Sequence, residues 1–130
     1  MKIRWTRNSV RFRITPQELA ALERGESVME ALCLPDGAGW RAVIAPGADA
    51  TSLAFEAGEL RLSLSDADCR LLAVPENEGV YFQLDDSHVG GLRYFIEKDF
   101  PCAHPRTAAA LEPQTETFTP PPGFEERKQQ

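Results

Sequence analysis

Three cysteines and two histidines are the first residues in this chain that could do chemistry. Cys102 and His104 stand two apart, and Lys98 precedes them in Ile96-Glu-Lys-Asp-Phe-Pro-Cys102-Ala-His104. A neighbouring cation or imidazolium lowers a thiol pKa, and paired carboxylates can do acid–base work. Glu97, Lys98, Asp99, Cys102 and His104 therefore form a candidate functional cluster. A nucleophile also needs an oxyanion hole and an orienting third group. No motif here supplies either, and a structural thiol is the simpler reading of Cys102. Zinc sites are usually built on C-x₂₋₄-C or H-x₃₋₅-H pairs. The chain has neither, so no metal and no cofactor are expected, although His88 falls just before the same strand. Cys33 on an alternating strand and Cys69 on a helix face read as small buried hydrophobes. Asp85-Asp86-Ser87 and Gly90-Gly91 read as turns rather than as paired carboxylates or a phosphate-cradling loop.

A second chemistry is electrostatic. Residues 1–24 carry Lys2, Arg4, Arg7, Arg11, Arg13 and Arg24 against Glu18 and Glu23, a net of +4 in a chain of net −6, so the remainder holds −10. Alternation puts Arg4, Arg11 and Arg13 on one face of a hairpin, which makes them anion-binding candidates. The plainer reading pairs them with acidic strands of the same protein, because cross-strand ion pairs are common on sheet faces. Trp5 and Phe12 fall on the opposite face, away from those arginines, and a base-stacking platform needs both on one surface. The overall acidity also opposes nonspecific attachment to nucleic acid or to an anionic membrane. Nucleic acid is thus a disfavoured partner, and no membrane partner is expected.

A regular grammar positions these residues. Ile3 and Trp5 alternate with Arg4 and Thr6, Arg7-Asn8-Ser9 turns, and Val10, Phe12 and Ile14 alternate with Arg11 and Arg13, which predicts a β-hairpin. Thr15-Pro16-Gln17-Glu18 then opens a helix: threonine caps, proline takes the first position, and glutamate closes a capping box. Leu19 and Leu22 face the core, and Gly25 stops the helix. Fifty residues later the pattern returns, with Leu53 and Phe55, a Gly58-Glu59 turn, then Leu60, Leu62 and Leu64. Ser65-Asp66-Ala67-Asp68 repeats the cap, Cys69 and Leu72 face inward, and Pro75 ends the helix. Two further strand candidates follow each unit, at 27–34 and 40–45 and at 80–84 and 92–98. The last has Leu92, Tyr94 and Ile96 on one face and Arg93, Phe95 and Glu97 on the other, which predicts a central strand covered on both sides. Glu97-Lys98-Asp99 reads as its solvated end. The expected fold is α+β, with about eight strands in one mostly antiparallel sheet or open barrel and two helices on the same face. A ββαββ duplication is one reading of the recurrence. Only Arg11/Arg61 and Leu22/Leu72 are identical between 3–24 and 53–74, so the alternation common to any capped hairpin competes with it.

Residues 1–102 are expected to form a single α+β domain and 103–130 a proline-rich tail, since five of the ten prolines lie there. Thr119-Pro-Pro-Pro-Gly123 prefers polyproline II. The tail is either draped loosely on the surface or a docking segment with Phe118 and Phe124 as partner anchors. No apolar h-region precedes Ile3, no apolar run approaches the roughly 20 residues of a membrane span, and the cysteine count is odd, so a reduced cytoplasmic protein is expected. The opening Met1-Lys-Ile-Arg with Asn8-Ser-Val-Arg-Phe-Arg-Ile-Thr15, and Ile96-Glu-Lys-Asp-Phe-Pro-Cys102, resemble an uncharacterised family of small bacterial proteins, a domain of unknown function. The resemblance spans most of residues 1–102 and implies no activity. The long tail departs from the short acidic, proline-containing ending such proteins often have. The leading expectation is a non-enzymatic protein-interaction or assembly module, with a protein partner or as a homo-oligomer. The alternatives are a small Cys/His-dependent enzyme or metal-dependent sensor, and an anion or nucleic-acid binder using Arg4, Arg11 and Arg13.

Overall fold

The structure is a computed structural model that describes residues 1–85, 91–101, 117–124 and 127. The elements run β1 (Lys2–Thr6), β2 (Ser9–Ile14), α1 (Pro16–Glu23), β3 (Val28–Cys33), β4 (Gly39–Ala48), β5 (Ser52–Glu56), β6 (Glu59–Ser65), α2 (Asp66–Ala73), β7 (Gly79–Leu84) and β8 (Leu92–Lys98). The α+β class with eight strands and two helices is as the sequence predicts. The Thr15 hydroxyl accepts from the Glu18 amide at 3.2 Å, and the Glu18 carboxylate accepts from the Thr15 amide at 3.0 Å, closing the capping box of α1. Gly25, at φ +84°, ends the helix: its amide donates to Leu22 and the Glu26 amide to Ala21, so the last carbonyls are satisfied. At α2 the Ser65 hydroxyl accepts from the Asp68 amide at 3.1 Å.

The strands divide into two sheets rather than one, and neither closes into a barrel. The first sheet has the order β1-β2-β8-β7 and the second β3-β4-β6-β5. Each joins two antiparallel hairpins through a central parallel pair, β2 with β8 and β4 with β6. Each therefore takes one hairpin from the first half of the chain and one from the second. The two correspond in register as well as order: Phe12 pairs with Ile96 where Leu62 pairs with Ile44, and Ile3 with Phe12 where Leu53 pairs with Leu62. A capped helix follows the second strand of each opening hairpin, and the chain leaves that helix on the other sheet. Period-2 alternation carries no information about this exchange, because it sets which face a residue occupies and not which strand lies beside it.

The inner faces meet in one core. Phe12, Ile14, Ile44, Leu62, Leu64 and Ile96 are fully buried between the sheets. The helices lie against each other and add Leu19, Leu22, Cys69 and Leu72 at the end where β2 and β6 finish. At the opposite end, Val10 and Leu60 are only half buried. The helices thus bridge two sheets instead of covering one: α1 contacts β3 and β4, and α2 contacts β7, β4 and β6. Two more expectations change. β8 is central but covered on one face only, since Tyr94 and Ile96 are buried while Phe95 and Glu97 are half exposed and Arg93 is open. Cys33 is exposed rather than buried, because β3 is an edge strand of which only Val28 reaches the core. No helix among the described residues is long and apolar enough to cross a membrane.

Candidate functional site

The outer face of the first sheet gathers the basic residues. Lys2 faces Arg13 and Arg4 faces Arg11 across β1 and β2, so two like-charged pairs stand side by side. Like charges directly opposite each other destabilise a sheet, and here one member of each pair has a counter-carboxylate, Asp99 for Lys2 and Glu97 for Arg11. The parallel partner β8 continues the rows. Arg13 lies beside Glu97 and Arg11 beside Phe95, while Ser9 lies beside Arg93. β7 then places Tyr81 next to Phe95. One row across the sheet therefore reads Arg4, Arg11, Phe95, Tyr81.

Internal pairing accounts for only part of this charge. Lys2 Nζ lies 3.1 Å from Asp99 Oδ2. Arg11 Nε lies 3.6 Å from Glu97 Oε2, an ion pair too long to be a hydrogen bond. That nitrogen is buried and has no hydrogen-bond acceptor among the described residues. The side chains of Arg4, Arg13 and Arg93 make neither an ion pair nor a hydrogen bond among the described residues. The Arg11 guanidinium stands 5.3 Å from the Phe95 ring centroid, and Phe95 lies 5.5 Å from Tyr81. The Tyr81 hydroxyl donates to Glu97 at 3.4 Å; burial, then Glu97 and Glu78, push its pKa up, so it stays a neutral phenol. Two depressions mark the face. One of about 200 Å³ is lined by Lys2, Ile3, Arg4, Arg11 and Arg13. The other, of about 190 Å³, shares Arg11 and Arg13 and reaches Glu97, Lys98, Phe100 and Phe124.

The second sheet serves as an internal control. Where the first has Lys2 opposite Arg13, the second has Ser52 opposite Ser63. The row Arg4, Arg11, Phe95, Tyr81 corresponds to Ala54, Arg61, Val43, Met29. Its Arg61 and Arg41 are both satisfied by Glu59, at 2.8 and 2.6 Å, and they hold that carboxylate below its usual pKa. The strand framework alone thus does not call for the cations and rings of the first sheet.

Of the predicted cluster at the end of β8, Glu97, Lys98 and Asp99 are among the described residues. Glu97 belongs to the basic face. Lys98 and Asp99, expected at a solvated strand end, are instead only 5 % and 4 % exposed. Lys98 points inward with Tyr94 and Ile96, donates to the Val74 carbonyl at 2.8 Å and lies 5.5 Å from the Phe118 ring. Burial pushes its pKa down, partly offset by Glu76 and Glu23. Cys102 and His104 lie outside the described residues, as do Asp86, Ser87, His88, Gly90 and the proline-containing run 105–116. The two aromatic residues of the tail pack on their own chain. The Phe118 amide donates to the Asp99 carbonyl at 3.0 Å, and Phe100 contacts Phe118 and Phe124 at centroid distances of 6.1 and 4.5 Å. Arg127 pairs with Glu78. Cys69, beside a cleft between the helices, has its thiol pushed up in pKa by burial and is a poor nucleophile.

The segment holding Phe118 and Phe124 thus packs against the chain that leaves β8. A family model matches residues 1–122, which includes β1 to β8 and the Phe118 contact. The chain belongs to a family of unknown function, DUF7009. No curated protein and no solved structure matches it. The matched residues take in Phe118 but not Phe124.

An apolar groove lies at the uncapped end of the core. It encloses about 400 Å³ and is lined by Ile3, Trp5, Val10, Trp40, Phe55 and Leu60, with Thr6 at its rim. Trp5 meets Trp40 edge to face at 5.6 Å, joining the two sheets there, yet Trp5 and Phe55 remain 62 % and 65 % exposed. What sequence reasoning missed is the arrival of Phe95 and Tyr81 on the arginine face. Alternation in 92–98 puts Arg93, Phe95 and Glu97 together, but only the parallel β2–β8 pairing sets them beside Arg11 and Arg13.

Proposed function

We propose that the protein is a non-enzymatic binding module that holds an anionic ligand on the outer face of its first sheet. One observation carries the reading: Lys2/Arg13 and Arg4/Arg11 form adjacent like-charged pairs, while the matching positions of the second sheet are Ser52/Ser63 and Ala54/Arg61. Charge repulsion tolerated at one of two equivalent surfaces is what an anion site requires of the empty state. Titration with inorganic polyphosphate at low salt tests this. Saturable binding that weakens at least tenfold in an Arg4→Ser, Arg13→Ser double variant, and not in Arg61→Ser, is the expected outcome. No binding, or equal loss in the Arg61→Ser control, removes the reading.

Assembly with a protein partner or a second copy is a second reading, and the exposed Trp5 and Phe55 beside the apolar groove favour it. Exposed aromatics over a groove of this kind commonly mark contact surfaces. Sedimentation of the wild type and a Trp5→Ser, Phe55→Ser variant tests the homo-oligomer form. A wild-type dimer that becomes a monomer supports it, and a wild-type monomer at high concentration removes it. The recurring ββαββ order is read as a duplication with exchanged hairpins, supported by the matching strand order and register. A cytoplasmic location accords with the exposed free thiol of Cys33.

A further inference from the structure

We infer that the anion recognised by this face is single-stranded nucleic acid, an inference that rests on the reading above and narrows it to a ligand class. The cations are spread over three strands of one pleated face. Lys2, Arg4, Arg11 and Arg13 stand on two adjacent strands, and Arg93 follows about 7 Å along β8 from Phe95, a spacing of two strand residues. A lone phosphate is typically held by convergent backbone N–H groups at a helix start or nest. Separate guanidinium groups spread over a pleated surface suit the successive phosphates of a chain. The same row ends in aromatic surface: Arg11 over Phe95, and Phe95 beside Tyr81, which is 59 % exposed. From Arg4 to Tyr81 the row crosses three inter-strand spacings, about 14 Å, room for a phosphate at one end and a stacked base at the other.

Stacking on an open sheet needs an unpaired base. A duplex presents phosphates to such a face but keeps its ring faces buried in the stack, so single strands are preferred. Polyphosphate and acidic peptides offer charge without a base to stack on Tyr81. The acidic balance of the chain, −6, limits the contact to this one face and so to a short footprint. Recognition by stacking and phosphate contacts carries little sequence preference.

Fluorescence anisotropy with the full chain decides the matter, using a labelled ten-nucleotide single strand, the corresponding duplex, and unlabelled polyphosphate as competitor. Circular dichroism establishes that each variant is folded. The single strand is expected to bind more tightly than the duplex. Tyr81→Ala should lose about five- to 150-fold in single-strand affinity while leaving polyphosphate binding unchanged, and Tyr81→Phe should retain it. Arg4→Ala should weaken both ligands and lower the slope of log affinity against log salt by about 0.7. Equal affinity for single strand and duplex, or a Tyr81→Ala variant that binds the single strand as the wild type does, overturns the inference and leaves the anion reading standing. Failure to bind either nucleic acid or polyphosphate overturns both.

Discussion

Arg4 and Arg13 illustrate how a residue can be wrong for folding and right for a surface. Each faces a like charge across the β1–β2 hairpin, and neither has a carboxylate partner among the described residues. Replacing Arg4 with threonine, a good strand residue, is expected to raise the stability of the free protein by about 0.2–1 kcal/mol at low salt. Urea denaturation at two ionic strengths checks this, because the gain should shrink as salt screens the repulsion. Lys98 is the opposite case, a cation drawn inside. Its native pKa is depressed by burial, so the unfolded chain binds more protons than the native one between the two pKa values. Stability contributed by Lys98 therefore rises with pH as the native pKa is passed, up to the ordinary lysine value of about 10.4. Tyr81 and Tyr94 have raised native pKa values and act with the opposite sign: their contribution is full below about 10 and is lost above it. The difference between wild type and Lys98→Met, followed by denaturation between about pH 8 and 10.5, isolates the lysine. A wild-type curve that falls relative to the variant over that range would contradict the assignment.

Among the elements, the two helices are short and depend on their ends. Each has eight residues, less than an isolated helix needs, so caps and the buried faces must hold it. The cap of α2 is knitted further into the fold than that of α1. The Thr51 hydroxyl donates to Asp68 and accepts from the Ser65 amide at 3.0 Å, tying the helix start to the chain entering β5. The segment 117–124 acts as one more packed element. Phe124 is 6 % exposed against Phe100, and the Phe118 amide extends the hydrogen bonding of the chain that leaves β8. Thr15→Ala is expected to cost about 1 kcal/mol, the usual loss of a helix cap. Phe124→Ala should cost more, about 3 kcal/mol, the low end for a buried phenylalanine. Thermal denaturation of the two variants gives the order directly. A Phe124→Ala protein as stable as the wild type would mean that the Phe124 side chain contributes nothing to the stability of the domain.

At the scale of the molecule, the exchange of hairpins makes the two halves mutually dependent. The β2–β8 ladder joins Ser9 to Arg93, and the β4–β6 ladder joins Arg41 to Glu59. Neither sheet can form its central parallel pair from one half alone. Residues 1–50 and 51–130 prepared separately should each lack stable tertiary structure and should fold on mixing. Circular dichroism of each fragment and of the mixture checks this, and a cooperative melting transition in either fragment alone would refute it. Such long-range parallel pairing also predicts slower folding than a meander of the same length, because loop closure precedes the contacts that repay it. The same interleaving leaves one end of the core covered by helices and the other open at Trp5, Trp40 and Phe55.

Local chemistry is legible in the amino-acid sequence by itself. Thr15-Pro16-Gln17-Glu18 and Ser65-Asp66-Ala67-Asp68 mark both helix starts, and alternation identifies the inward Phe12, Ile14, Leu62, Leu64 and Ile96, because caps and pleats are set by near neighbours. Alternation alone likewise places the three arginines 4, 11 and 13 on one face. It does not say what adjoins that face. Strand order is a long-range choice with no local signature, so only the tertiary structure decides the division into two sheets, the parallel contact of β2 with β8, and the exposure of Cys33 on an edge strand. The burial of Lys98 and Asp99 is decided there too, since both look like solvated charges when read along the chain. An aromatic pair beside a row of cations is a property of strands from opposite ends of the domain's sequence, and only their pairing brings Tyr81 and Phe95 to Arg11.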